Sequence, residues 1–236
     1  MKKRKNISIF PLLIMGVFIL FASSCEKDDD NEPSSKDTMT DQDGNVYKTV
    51  IIGGQTWMAE NLRTTKYNDG TAIPNVFEDD QWNSLTTGAY CNYDNAAGTV
   101  NIATYGLLYN WHAVNTGKLA PKGWHVPTDA EWTELTEYLG GESVAGGKLK
   151  ETGTTHWNPT NIGATNETGF TALPGGYRWP TFFDIGSRGL WWSATYEGGG
   201  DAWYREIYGE GPGPYSPMWR GDLDVQSGLS VRCVRY

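Results

Sequence analysis

The chain has 236 residues and a formal net charge of −9, so it has room for one large domain or two small ones. Aromatic residues make up 13% of it, including 11 Trp and 13 Tyr, which excludes an intrinsically disordered protein. The negative charge excludes a nucleic-acid protein that works by neutralising phosphates, so no nucleic-acid partner is expected. A charged fraction of 20% argues against long coiled coils.

The N-terminus has the layout of a signal peptide. Positive residues at positions 2–5 precede an uncharged apolar run of 16 residues, Ile7 to Ala22, which is short for a membrane-spanning helix. Small residues and Cys25 follow, and this junction resembles a bacterial lipobox. The resemblance implies that residues 1–24 are removed and that Cys25 carries the lipid. Ordinary secretion with a free thiol at Cys25 is the alternative.

Residues 25–40 are predicted to be the lipidated cysteine and a flexible acidic tether, because their polar composition leaves nothing to bury. The stretch Glu26-Lys-Asp-Asp-Asp30 resembles the export signal of surface lipoproteins of Bacteroidetes. That resemblance implies a protein held by a lipid anchor on the outer face of the outer membrane. A plain solvated tether fits the same composition. No later segment is apolar enough to cross a membrane.

The cysteines outside the signal region number two, Cys91 and Cys233. In an oxidising compartment two thiols allow one pairing, so the sequence predicts a disulfide between them. Such a bond would tie the C-terminal strand to the middle of the domain. Two separate buried thiols are the alternative.

Residues 41–236 show no linker and no break in composition, and we predict that they form one domain. Residues 46–52 are β-branched and aromatic, and Gly53-Gly54 then turns the chain into a second strand over residues 55–59. Apolar and polar residues alternate over residues 229–235, which predicts a terminal strand.

The middle of the chain is less regular. Residues 64–104 are rich in Asn, Asp, Gly and Thr and are predicted to be mostly loop, with a short strand at residues 90–93. Residues 106–114 are apolar and predict a buried element, either a strand or a short helix.

One helix has clear boundaries. Thr128 and Glu131 have the spacing of a capping box, and Gly140-Gly141 supplies the stop. A second short helix is predicted over residues 143–150. The fold class predicted is α+β: one domain with a twisted antiparallel sheet, one or two short helices and long loops.

Seven segments of the domain resemble the Fibrobacter succinogenes major paralogous domain, and Gly123-Trp-His-Val-Pro-Thr-Asp-Ala-Glu-Trp132 is among the clearest of them. In order they cover residues 43–53, 55–63, 106–111, 123–132, 169–178, 191–195 and 229–235. The resemblance implies a C-type-lectin-like fold, related to that of the formylglycine-generating, sulfatase-modifying enzymes. It implies no defined activity.

The enzymatic role of that related group does not transfer to this chain. Those enzymes bind copper through a pair of nearby cysteines late in the chain, whereas Cys233 has no neighbouring cysteine. No catalytic residue is therefore predicted. The histidines His112, His125 and His156 each stand beside a tryptophan and are best interpreted as packed imidazoles, since no zinc-binding spacing is present.

No cofactor is predicted. The stretch Asp41-Gln-Asp-Gly-Asn45 does not fit the EF-hand loop, because its glycine comes fourth and not sixth. The sugar-binding triplets of calcium-dependent lectins are missing from the folded region. A structural calcium ion stays open, without a motif to support it.

The late part of the chain holds the candidate binding residues. Flat rings and planar charged groups stand between Gly/Pro-rich loops there, a composition that suits a recognition surface. The candidate residues are Asp201, Trp203, Tyr204, Arg205, Tyr208, Tyr215 and Trp219. The same rings could equally belong to the core, and the sequence leaves that open.

These features predict a lipid-anchored surface protein whose domain is a non-catalytic binding or adhesion module. The expected partners are the lipid anchor in the outer membrane and a glycan or protein ligand. An extracellular enzyme that modifies carbohydrate or protein is the main alternative. A structural component of the envelope is the other.

Overall fold

Two sheets frame the fold, one built from the ends of the domain and one from its second half. The structure, a computed structural model, describes residues 38–95, 99–210 and 215–235, all within one unit, Pro33–Tyr236. The first sheet has the order β1-β2-β3-β11, and all its pairs are antiparallel. Its strands are β1 (Thr38–Thr40), β2 (Val46–Ile52), β3 (Gln55–Met58) and β11 (Val234–Arg235).

The second sheet carries the late part of the chain. Its order is β10-β9-β8-β6-β7, and all its pairs are antiparallel except β6 with β8. Its strands are β6 (Gly175–Arg178), β7 (Phe182–Ile185), β8 (Arg188–Gly198), β9 (Asp201–Tyr208) and β10 (Met218–Asp224). A small hairpin-like pair is formed by β4 (Tyr90–Cys91) and β5 (Leu108–Tyr109).

The helices of the described residues are short. They are α1 (Asp79–Asn83), α2 (Thr99–Tyr105), α3 (Trp111–Asn115), α4 (Asp129–Tyr138) and α5 (Glu142–Leu149), with a 3₁₀ turn at Tyr93–Asn95. The predicted capping box of α4 is confirmed: the Glu131 amide donates to Thr128 Oγ1 over 3.2 Å, and the Thr128 amide donates to Glu131 Oε2 over 2.7 Å.

Stacked aromatic rings hold α4 against the first sheet. The ring centroids of Trp57 and Trp132 are 4.6 Å apart, and Phe170 packs edge-on against both. Arg232 is fully buried beside Phe170, and its Nε donates to Asn61 Oδ1 over 2.9 Å. Since α4 also contacts β8 and β9, this cluster fixes one face of the second sheet.

The sequence predictions for β2, β3, α4 and α5 are confirmed to within a residue or two. The stretch 106–114 contains both of the elements considered for it, β5 and the start of α3. Two helices, α1 and α2, lie in the segment predicted to be mostly loop. The terminal strand is shorter than predicted, because Leu229 and Ser230 make only isolated bridges to Tyr109 and Trp191. The fold is mostly sheet with a few short helices.

The predicted disulfide between Cys91 and Cys233 is wrong. Both cysteines are free and buried. Cys91 packs with Trp82 and Leu108 in one apolar cluster, whereas Cys233 belongs to the main core cluster. Burial raises the pKa of the Cys91 thiol to about 12, so it is unreactive.

The N-terminal predictions fall mostly outside the described residues. The signal region and Cys25 lie there, as does the tether up to residue 37. The last tether residues, Thr38–Thr40, form β1, so the sheet begins before the predicted domain boundary at residue 41. Among the described residues, no helix has the length and apolar character needed to cross a membrane.

Candidate functional site

Strand β9 carries five of the seven predicted binding residues, and its pleat divides them between two faces. Trp203 and Arg205 lie on the face that α4 covers, whereas Tyr204 and Tyr208 lie on the opposite face. The seven candidate residues therefore do not share one face of the sheet. Asp201 begins the strand and pairs with Asp224 and Gly198.

The face toward α4 is a closed ion network. Arg205 is only 2% exposed, and its Nη1 donates to Asp129 Oδ1 over 2.7 Å. The Nε of Arg220 donates to the same carboxylate over 2.9 Å, and its guanidinium lies 3.4 Å from the Trp203 ring centroid. Partial burial raises the pKa of Asp129, but the bonds from Arg220 and Arg205 outweigh it and hold that pKa below its usual value. Arg205 is thus unavailable to a ligand.

The opposite face holds a buried carboxylate among phenols. Glu206 is 4% exposed and accepts bonds from Tyr208 Oη at 2.9 Å, Arg188 Nη1 at 3.2 Å and Tyr204 Oη at 3.4 Å. Burial raises the pKa of Glu206, since these bonds only partly offset the loss of water. Burial, together with the Glu206 charge, also raises the pKa of Tyr208 to about 12.

An open pocket of about 370 Å³ borders this group, and we call it the Arg188 pocket. Arg188 is held from two sides, by Glu206 and by Asp184, whose Oδ2 lies 3.2 Å from Arg188 Nε. Its guanidinium stacks over the Tyr208 ring at 4.6 Å. The pocket is lined by Asn158, Asp184, Ser187, Arg188, Tyr208, Gly209 and Glu210.

The polar side chains of the Arg188 pocket are fixed by their neighbours. Asn158 Nδ2 donates to Ser187 Oγ over 3.0 Å, and the Asn158 amide donates to the Gly186 carbonyl over 2.7 Å. Asp184 has a φ of 65°, a left-handed conformation that is uncommon for residues other than glycine. A conformation of this kind costs free energy and is often retained where a side chain must be aimed.

A buried lysine supports the wall of the pocket from behind. Lys150 is fully buried, and its Nζ donates to the carbonyls of Ile162, Tyr208 and Gly209 over 2.9, 3.0 and 3.4 Å. Burial lowers the pKa of Lys150 to about 8. Because Tyr208 and Gly209 line the pocket, the ammonium fixes the main chain on which they sit.

The remaining predicted residues lie at a different place, at edge strand β10: Tyr215 is just before the strand and Trp219 is in it. They are 61% and 48% exposed and line a second pocket of about 390 Å³ with Pro217, Glu142 and Ser143. Of the candidate rings, these two are exposed and Trp203, Tyr204 and Tyr208 are partly buried.

The histidines do not form a shared site. His125 Nε2 lies 2.6 Å from Glu131 Oε1, and His156 Nδ1 lies 2.9 Å from Glu151. Within residues 38–95, 99–210 and 215–235, no group of three His, Cys, Asp or Glu side chains is placed to hold a metal ion.

Sequence reasoning missed Asn158, Asp184, Arg188 and Glu206. A signal for two of them was present. Asp184 and Gly186 have the spacing of a turn, and Arg188 follows that turn at the start of an apolar strand. No local signal marks Asn158, because only the tertiary fold brings it to Ser187.

Comparison with protein families finds a match to a model described as the Fibrobacter succinogenes major domain, over residues 50–235. The matched region runs from the end of β2 to β11 and includes every residue of the Arg188 pocket. Neither the curated proteins nor the solved structures gave a match.

Proposed function

The chain belongs to the Fibrobacter succinogenes major domain family, and we propose that its domain is a non-catalytic module that binds a saccharide in the Arg188 pocket. The observation that carries the proposal is the preformed polar wall around Arg188. Carboxylate, amide and guanidinium groups converge there beside a tyrosine ring, which is the chemistry that hydroxyl groups and sugar C–H faces require.

The hydrogen bonds within the pocket support binding without large rearrangement. Asp184 and Glu206 hold Arg188, and Ser187 holds Asn158, so these side chains have little rotamer freedom left to lose. A site whose groups are already fixed loses less entropy when a ligand binds. The wall also carries both charge signs, which suits a neutral, hydroxyl-rich ligand better than an ion.

A binding role fits the carboxylates better than a hydrolytic one. Glu206 has a raised pKa, as an acid catalyst needs, but it accepts from three donors and does not line the pocket. Asp184 lines it, but is paired with Arg188. We therefore treat enzymatic cleavage of the glycan as an alternative outcome of the experiment below.

The location and the finer fold assignment belong to the same proposal. We propose that Cys25 carries a lipid and that the domain is displayed on the outer face of the outer membrane. The supports are the lipobox-like junction and the acidic stretch that follows it. We also propose a C-type-lectin-like fold, supported by the pairing of early strand β3 with terminal strand β11.

The test is a binding screen of residues 26–236 against a panel of purified glycans and mucins, with calcium and with chelator. We expect at least one glycan to bind, and Asn158→Ala and Asp184→Asn to weaken it at least tenfold each. Both changes are at partly exposed side chains, so the thermal midpoint should move little.

Asn115→Ala is the matched control, because Asn115 is an exposed asparagine that lines a different pocket, beside His112. It should leave affinity unchanged. An equal loss of glycan affinity in Asn115→Ala and Asn158→Ala would refute the assignment of the binding site to the Arg188 pocket. Release of new reducing ends from the bound glycan would identify an enzyme instead. A folded protein that binds no glycan would refute the saccharide proposal.

A further inference from the structure

Two exposed apolar side chains flank the tip of the β2–β3 hairpin from opposite faces, since Ile52 is buried on the side toward α4 and the next residue along the strand, Ile51, points away from it. Ile51 is 75% exposed and Tyr138, at the end of α4, is 66% exposed, the two highest values among large hydrophobic side chains of the described residues. A Cβ on Gly53 would lie 3.2 Å from the Tyr138 ring, so this ring covers the turn. We call Ile51, Gly53, Gly54 and Tyr138 the apolar tip.

The apolar tip lacks charge over a long stretch of sequence. No charged residue occurs from Thr49 to Ala59. The charges that border it on α4 are acidic, and Glu134 Oε2 accepts from Gln55 Nε2 over 3.3 Å. Exposed apolar side chains beside an uncharged turn give the apolar tip the character of a contact surface.

The register of β1 shows on which side of the sheet this strand begins. Thr38 pairs with Lys48, and the antiparallel direction puts the N-terminal end of β1 nearest to Ile51. Ile51 is three residues beyond Lys48, about 10 Å at the rise of a strand. Strand β1 therefore begins on the side of the apolar tip.

The proposed lipidation position, Cys25, precedes β1 by a short stretch of chain. Thirteen residues, from Cys25 to Asp37, separate the lipidation position from β1, and fully extended they reach at most ~45 Å. A lipid on Cys25 would keep the start of β1 within that distance of the bilayer. Tyrosine is enriched at the interface between headgroups and acyl chains, and an apolar side chain such as that of Ile51 gains free energy when it is buried at that boundary.

We propose that the apolar tip contacts the lipid bilayer in which Cys25 is anchored and so fixes the orientation of the domain. The inference rests on the proposed lipid anchor. The acidic border of the tip and the net charge of −9 favour zwitterionic over anionic headgroups. In this orientation the apolar tip and the start of β1 both face the bilayer.

The experiment uses the full chain, processed in cells and reconstituted in dioleoylphosphatidylcholine vesicles that contain a nitroxide-labelled lipid. Gly54→Cys places a fluorescent label at the tip, where a side chain meets no other atom within 4 Å. Gln42→Cys places it at an exposed position in the turn between β1 and β2, at the far end of β2, about 20 Å away. The native Cys91 and Cys233 are buried and do not compete for the label.

We expect the lipid to quench the label at position 54 at least threefold more than the label at position 42. Ile51→Ser with Tyr138→Ser should remove that difference. Phe77→Ser with Tyr215→Ser is the matched control, because these side chains are 54% and 61% exposed elsewhere, and it should preserve the difference.

The outcomes separate this inference from the anchor on which it rests. A chain that does not float with the vesicles overturns both proposals. A chain that floats but is quenched equally at positions 42 and 54 overturns the tip contact alone. Cross-linking of two copies through position 54, with equal quenching, would assign the tip to a protein interface and likewise overturn the membrane contact.

Discussion

The two faces of β9 carry the same kinds of side chain and use them differently. On the face toward α4, Asp129 binds both Arg205 and Arg220, and the arginine at the centre is closed off from water. On the other face, Arg188 binds both Glu206 and Asp184 while remaining about one third exposed at the mouth of a pocket. An arginine between acids and rings is therefore no sign of a binding site until its exposure is known.

The largest expected effect follows from breaking the closed network. Asp129→Asn removes the charge that balances Arg205, whose side chain is 3% exposed, so a buried cation is left unpaired. Removing one partner of a buried pair costs about 3 kcal/mol or more in the free energy of unfolding. Urea unfolding at neutral pH measures this loss. Asp184→Asn, in the open network, should cost less than about 1 kcal/mol, because Arg188 keeps Glu206.

The same variant predicts a pH dependence. The pKa of Asp129 is lowered in the folded protein, so its stabilisation is complete above the pKa of the unfolded chain and is lost as the pH falls through the lower folded pKa. The stability difference between the native chain and Asp129→Asn should therefore shrink below about pH 4. A difference that stays constant down to pH 2 would show that the carboxylate charge is not what holds Arg205.

The contrast between the two faces of β9 also explains how much of the site could be predicted from the sequence. Local signals were sufficient for β2, β3, α4 and α5, since capping, turn glycines and periodicity act within a few residues. Local signals could not assign Trp203 and Arg205 to one environment and Tyr204 and Tyr208 to another. Alternation along a strand shows that the strand has two faces, but it does not show what packs against each face. The coverage of one face by Asp129 and Thr133 of α4 is a tertiary fact.

The pocket was missed for the same reason. Asn158 is far along the chain from Arg188, and its bonds to Gly186 and Ser187 bring its loop to the start of β8. The disulfide prediction was wrong for a different reason. It rested on the number of cysteines, and that number does not show that each cysteine fills a separate apolar cluster.

A smaller effect on the free energy of unfolding is expected from the aromatic rings, and it differs between half-buried and exposed rings. Tyr204 packs against the main core cluster and lies within about 3 Å of where a Cβ on Gly221 would be, so Tyr204→Ala should cost about 2–3 kcal/mol in urea unfolding. Trp219 is nearly half exposed, and Trp219→Ala should cost under about 1 kcal/mol. Similar losses for both would mean that the Trp219 ring is also part of the core.

The smallest expected effect is on the pH dependence of the free energy of unfolding, and it arises from Glu206. Its pKa is raised in the folded protein, mainly by burial, so between pH 4.5 and that raised value the folded chain keeps a proton that the unfolded chain has released. The contribution of Glu206 to stability therefore falls as the pH rises through this window, opposite in sign to that of Asp129. Glu206→Gln cannot titrate and should remove this part of the slope when unfolding free energies are compared from pH 4 to 7. An unchanged slope in Glu206→Gln would mean that Arg188 and the two phenols fully compensate the buried charge, and the two faces of β9 would then differ only in access to water.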